Sequence, residues 1–186
     1  MTEPLFFDTD CISAFLWVDE ENILTEMLPE RIVVPKPVYD ELSHPGLNRI
    51  KALKTQLDTL IAAGQAKIET IMTDTKEHEL YEKLILEPDC GHTYIGKGEA
   101  AAIALAKEKG GILASNNLKD VADYVREFGL LHITTGGIMK AALEKGILTE
   151  QQGNIIWKNM LAKRRKLGYA SFSDFLQEDT IPTPAI

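Results

Sequence analysis

Asp8 directly follows the apolar run Leu5-Phe6-Phe7, and Glu41 lies in a helical stretch after a second apolar run. Glu99 opens a segment that is otherwise alanine and isoleucine. Asn116 and Asn117 follow a later short apolar run, with Asp120 one helical turn beyond. Carboxylates gathered in one cleft repel, and each raises the others' pKa unless a cation neutralises them. Three or four oxygen ligands around such a cleft suit Mg²⁺ or Mn²⁺. Two such ions roughly 4 Å apart can activate a water and stabilise the leaving oxygen in phosphodiester cleavage. That chemistry needs no catalytic histidine or cysteine, and no plausible pair of either is evident. Each residue also has a plainer reading. Asp8 can cap the helix that follows it, Glu41 can be a solvated helix residue, and Asn116-Asn117 can be a turn pair. Glu99 suits a helix N-terminus but interrupts a face that must be buried.

The elements that must position these residues are legible from the apolar pattern. Short runs fall at Leu5 to Phe7, Arg31 to Val34, Ala66 to Thr70, Ile112 to Ala114 and Leu130 to Ile133, with helical spacing between them. Strands alternating with helices imply βαβ units and a parallel sheet covered on both faces. The expected architecture is an α/β three-layer sandwich with a central, mostly parallel sheet of about five strands, plus C-terminal helices. Right-handed crossovers bring the strand C-termini to one edge, where ligand sites gather at the point of strand-order reversal. If the first and fourth strands are neighbours, Asp8 and the Asn116 to Asp120 turn face each other there. Pro35 and Pro37 introduce a helix containing Glu41, and Thr73 or Asp74 caps one reaching about Glu87. Thr149 with Gln152 forms a capping box for a helix through about Lys166, and Ser171 with Asp174 starts a last short one. The core domain is expected over residues 1–146, with 147–186 a helical extension ending in a frayed tail.

The chain has 186 residues and a net charge of −8, with 45% hydrophobic and 26% charged residues. A uniformly basic nucleic-acid binder is excluded, though a local basic patch is not. No apolar run approaches the roughly 20 residues that span a bilayer. The start, MTEPLFFDTD, lacks a basic region and meets a carboxylate early, so no signal peptide is expected. Two cysteines, Cys11 and Cys90, without a CxxC pair, argue against a disulfide framework or structural zinc and for a cytoplasmic protein.

Taken in order, the motifs resemble the PIN domain, a nuclease fold. They are Phe6-Phe7-Asp8-Thr9 with Ile12 to Leu16; Val33-Val34-Pro35 with Val38 to Leu42; Gly98-Glu99 with Ala100 to Ala106; and Leu113 to Asn117 with Lys119-Asp120. Thr134 to Ile138 and Ala141 to Gly146 look like a toxin-like branch of that family. The resemblance covers about residues 5 to 146. It implies a metal-dependent endoribonuclease with Asp8, Glu41 and Glu99 at a Mg²⁺ or Mn²⁺ site and Asp120 and Asn117 assisting. It also implies a possible small antitoxin and a possible homodimer as partners. The family usually places an aspartate near Asn116 or Asn117, where this chain has amides; an amide oxygen can ligate but supplies no charge.

Lys158, Lys163, Arg164, Arg165 and Lys166 concentrate positive charge in an acidic chain. Together with Lys97 they could hold an RNA backbone, or they could simply be a solvated helix end. Tyr169 and Phe172 beside the run could stack on bases, although core packing suits Phe172 better. Cys90 and His92 do not make a zinc site. Their loop leads into the Glu99 helix, so His92 and Lys97 are expected near a substrate phosphate. His44, His78 and His132 read as surface or strand-end residues. Two other functions compete: a degenerate PIN-like RNA-binding or adaptor protein, suggested by the amides, and a haloacid dehalogenase-type phosphatase, suggested by Phe7-Asp8-Thr9-Asp10.

Overall fold

The computed structural model describes residues 3–44, 48–86, 92, 94–178 and 184–186. Five strands form one sheet: β1 (Leu5–Phe7), β2 (Ile32–Pro35), β3 (Ala66–Glu69), β4 (Ile112–Ala114) and β5 (Leu131–Ile133). Their order is β3-β2-β1-β4-β5, and every neighbouring pair is parallel. Three-residue and four-residue strands suffice because the central ones are buried on both faces. Continuous Val, Ile, Leu and Phe is the pattern such strands require.

Side-chain alternation divides the core into two layers. Leu5, Phe7, Ile32, Val34, Ile112 and Ala114 point to one face, while Phe6, Val33 and Leu113 point to the other. The first face carries α1 (Thr9–Leu16), α2 (Glu21–Met27), α3 (Lys36–Leu42) and α4 (Asn48–Ala62). It also carries α8 (Thr135–Glu144), α9 (Glu150–Ala162) and α10 (Phe172–Glu178). The second face is covered by α5 (Lys76–Leu86), α6 (Lys97–Lys109) and α7 (Leu118–Phe128). The result is the expected three-layer α/β sandwich. In α6 every residue from Ala100 to Ala106 is buried, and its alanines let the helix sit close to the sheet. Among the described residues, no helix is long and apolar enough to cross a membrane.

The helix ends differ in detail from the sequence reading. The helix expected from Thr73 or Asp74 starts at Lys76, because Asp74 takes a left-handed backbone with φ of 63°. The α9 helix has the expected Thr149-Gln152 capping box but stops at Ala162. Arg164, at φ 62°, bends the chain there, so Lys163 to Lys166 form a turn and not a helical face. His132 is buried, not superficial, and bonds to the Ser115 carbonyl at 2.9 Å. Burial holds its pKa below the ordinary histidine range.

Residues after 146 share the main hydrophobic cluster. Trp157, Met160, Phe172 and Phe175 are buried with Ile138, Met139 and Ala142. Trp157 packs at 5.8 Å from Phe172 and 5.5 Å from Phe175, ring centre to ring centre, and donates to the Tyr169 carbonyl at 3.1 Å. Gly153 makes room for this: a Cβ there would lie 2.3 Å from the Phe172 ring. Phe172 is therefore core and is closed to base stacking. Trp157→Ala is expected to lower stability by about 3–5 kcal/mol. Thermal unfolding followed by far-UV and near-UV circular dichroism should then show one shifted transition. Separate melting of a C-terminal unit would contradict the shared core.

Candidate functional site

The site forms where the strand order reverses. β1 pairs with β4 in the register Phe7 with Ala114, and the Asp8 N–H continues the ladder to the Ala114 carbonyl at 2.9 Å. This places Asp8 beside the turn that begins at Ser115, at the C-terminal edge of the sheet. Asp8, Thr9, Asp10, Glu41, Gly96, Gly98 and Glu99 line a cleft of about 240 Å³ there.

Asp8 is 1% exposed. Its Oδ1 caps α1 by accepting from the Cys11 N–H at 2.6 Å, so the capping role is real. Its Oδ2 is buried and makes no hydrogen bond within 3.5 Å, although the Ser115 side chain is close enough to favour the charged carboxylate. Burial pushes the carboxyl pKa up to about 7; the nearby Ser115 side chain and the Cys11 N–H oppose the rise, and the charges of Asp10 and Glu99 add to it. A buried acceptor left unpaired is costly in a folded protein and marks a place where a ligand would be welcome.

Glu41 projects from α3, which Pro35 and Pro37 initiate. Its Oε2 accepts from the Thr9 hydroxyl, and its Oε1 accepts from the Gly98 N–H at 3.2 Å. Gly98 is the close-approach residue: a Cβ would stand 2.8 Å from Thr9 Oγ1 and 3.1 Å from Glu41 Oε2. Glu99 turns back to accept from the Gly96 N–H at 3.0 Å, one half of a capping box, through Oε2. Its Oε1 accepts from Asn117 Nδ2 at 2.7 Å, and the same nitrogen donates to Asp120 Oδ2 at 2.6 Å. Carboxylates only accept, so the amide must face them with its nitrogen. Asn117 thus clips two acids together with its two N–H bonds.

Asn116 has a different task. It accepts from the Thr135 N–H at 2.8 Å and donates to Thr135 Oγ1 at 2.9 Å, tying the turn after β4 to the start of α8. The structure therefore brings Asp8, Glu41 and Glu99 into one cleft and joins Asn117 and Asp120 to it through Glu99. Asp120 does not itself line the cleft. Lys97 is exposed between the cleft-lining Gly96 and Gly98. Arg165 reaches Asp10 at 3.6 Å, whereas Lys163, Arg164 and Lys166 are exposed. His92 does not meet the expectation of a place at the cleft: its ring stacks on Tyr124 at 4.6 Å, and its Nε2 lies 3.1 Å from Glu127 Oε2. Cys90 lies outside the described residues. Thr9, Asp10, Gly98 and Ser115 stand within the quoted motifs but were given no place at a metal cleft, although Gly98, immediately before the acid that opens a buried helix, was a usable signal.

The donors are all oxygens, and one is buried without a partner. That chemistry fits a hard divalent cation. As placed, no three His, Cys, Asp or Glu side chains among the described residues stand together as a metal-holding group. Glu41 and Glu99 instead accept from the Thr9 hydroxyl, the Gly98 and Gly96 N–H groups and Asn117.

The buried acid sets a pH test. With metal chelated, Asp8 ionises near 7 when folded but near 3.8 when unfolded, so its charge opposes folding above that window. Asp8→Asn keeps the cap and removes the charge. It should be more stable than the parent at pH 8, by about 4 kcal/mol at most. Denaturant midpoints should show the gain shrink as pH falls through 7 and vanish near 4. A gain that does not depend on pH would contradict a buried ionisable Asp8.

A family model described as PIN domain matches residues 5–179. Neither the curated proteins nor the solved structures compared yield a match. PIN domains are a nuclease-type family, and the phosphatase reading of Phe7-Asp8-Thr9-Asp10 gives way to that assignment. With a parallel sheet in the order β3-β2-β1-β4-β5, an acid-lined cleft at its switch point and a match over nearly its whole length, this chain belongs to the PIN-domain family.

Proposed function

We propose that this chain is a metal-dependent endoribonuclease that hydrolyses RNA phosphodiester bonds with Mg²⁺ or Mn²⁺. The observation that carries the reading is the unpartnered Asp8 Oδ2, buried in the same cleft that Glu41 and Glu99 line. Asp8, Glu41 and Glu99 would hold the ion, with Asp120 assisting. When bound, the ion supplies a Lewis acid that activates water and offsets charge on the phosphodiester.

The chain's own groups prepare that site. Thr9 and the Gly98 N–H orient Glu41; the Gly96 N–H and Asn117 orient Glu99. Lys97 and the turn from Lys163 to Lys166 supply cations for the RNA backbone. A role as the toxin of a cytoplasmic toxin–antitoxin pair, with a small antitoxin protein and a homodimer, belongs to the same proposal.

The expected result is that the parent cuts single-stranded RNA with Mn²⁺, while Asp8→Asn and Glu99→Gln lose at least a hundredfold in rate and stay folded. Full cutting by both variants would sink the assignment.

The Asn117 clip favours a second reading, in which the cleft binds RNA without cutting it. Asn117 already neutralises the Glu99–Asp120 repulsion by hydrogen bonding, which lowers the demand for a cation. Asn117→Asp removes the clip and adds a charge. It should melt earlier than the parent in chelator and bind Mn²⁺ more tightly by isothermal titration. Cutting by Asn117→Asp alone, with an inert parent, would decide for the second reading.

A further inference from the structure

Past the end of α9, the left-handed Arg164 turns the chain so that Arg165 returns to α1, the helix that Asp8 caps. Arg165 Nη1 lies 3.3 Å from Ser13 Oγ and 3.6 Å from Asp10 Oδ1. Its Nε donates to the Lys163 carbonyl at 3.2 Å, and its guanidinium lies 5.7 Å from the centre of the Trp17 ring. The side chain is 22% exposed, and Asp10 lines the cleft. Among the described residues, Arg165 is the one basic side chain paired with a cleft-lining carboxylate.

That placement answers an electrostatic problem. Asp8, Asp10, Glu41 and Glu99 all line the cleft, and a polyanion approaching them is repelled. A guanidinium carries five N–H donors in a planar fork suited to phosphate. Among the described contacts, Arg165 Nη2 has no partner, and Nη1 is shared between a hydroxyl and a loosely held, half-exposed carboxylate. Trp17 supports the planar group from one side.

We propose that Arg165 is a substrate-positioning residue that binds an RNA backbone phosphate at the rim of the cleft. Asp10 holds the guanidinium in place until the phosphate takes it over. Lys163, Arg164 and Lys166 contribute only diffuse attraction from the same turn. This inference rests on RNA being the substrate of the cleft, as proposed above.

The test compares Arg165→Met, which keeps an apolar stem against Trp17, with Arg165→Lys and with Arg126→Ala, a control on the exposed face of α7. Affinity for a single-stranded oligoribonucleotide is measured across a salt series in chelator, and kcat and KM are measured with Mn²⁺. Arg165→Met should weaken binding about tenfold and reduce the log–log salt slope by about 0.7, the value for one phosphate contact on a single strand. KM should rise by a similar factor, with kcat within about threefold. Arg165→Lys should restore the slope but only part of the affinity, and Arg126→Ala should match the parent. A merely structural role for Arg165 would not move the slope. Cutting by the parent with an unchanged KM and slope in Arg165→Met overturns this inference and leaves the nuclease reading standing. RNA binding that depends on Arg165 in a parent that never cuts supports the phosphate contact and removes the nuclease reading.

Discussion

The parallel pairing of β1 with β4 is the constraint on which the rest depends. Phe7 opposite Ala114 sets Asp8 beside Ser115, and a slip by one residue would turn every central side chain to the wrong face of the sheet. The pairing skips two intervening strands, since β2 and β3 lie on the far side of β1. That reversal leaves a gap between the crossover helices, and the first turns of α1 and α6 meet there with α3. The cleft is a result of topology; the acids merely occupy it.

Around that cleft, charge is managed by hydrogen bonding. Glu41 and Glu99 each find an N–H at the start of α6, and Asn117 satisfies Glu99 and Asp120 together. Asp8 is the exception, with one oxygen capping a helix and the other left bare. Its high pKa follows mainly from burial. A carboxyl placed in this way disfavours the folded chain at neutral pH, and proteins keep such groups chiefly where a ligand recovers the loss.

Much of this was legible in the amino-acid sequence. Five apolar runs separated by helical stretches marked the five strands, and Asp8, Glu41 and Glu99 stood out because each followed a strand or broke an apolar pattern. The residues that were quoted without a role at the cleft act through contacts between elements. Thr9 and Gly98 matter because α1, α3 and α6 converge, and no local pattern reports that convergence. Arg165 read as one of a run of cations on a helix end; only the left-handed turn at Arg164 sets it apart. His92 failed as a cleft residue because packing against Tyr124 drew it toward α7. The two amides looked interchangeable on paper, yet Asn116 serves the scaffold and Asn117 serves the acids.

Gly98 carries one last implication. A Cβ at this position would press on the Thr9 hydroxyl, the Glu41 carboxylate and Val38, so the close approach of α6 to those side chains depends on a residue without one. Enlarging that single position would either displace the Thr9 hydroxyl and the Glu41 carboxylate or shift the first turn of α6, taking Lys97 and Glu99 with it, and in both cases the mouth of the cleft would change shape.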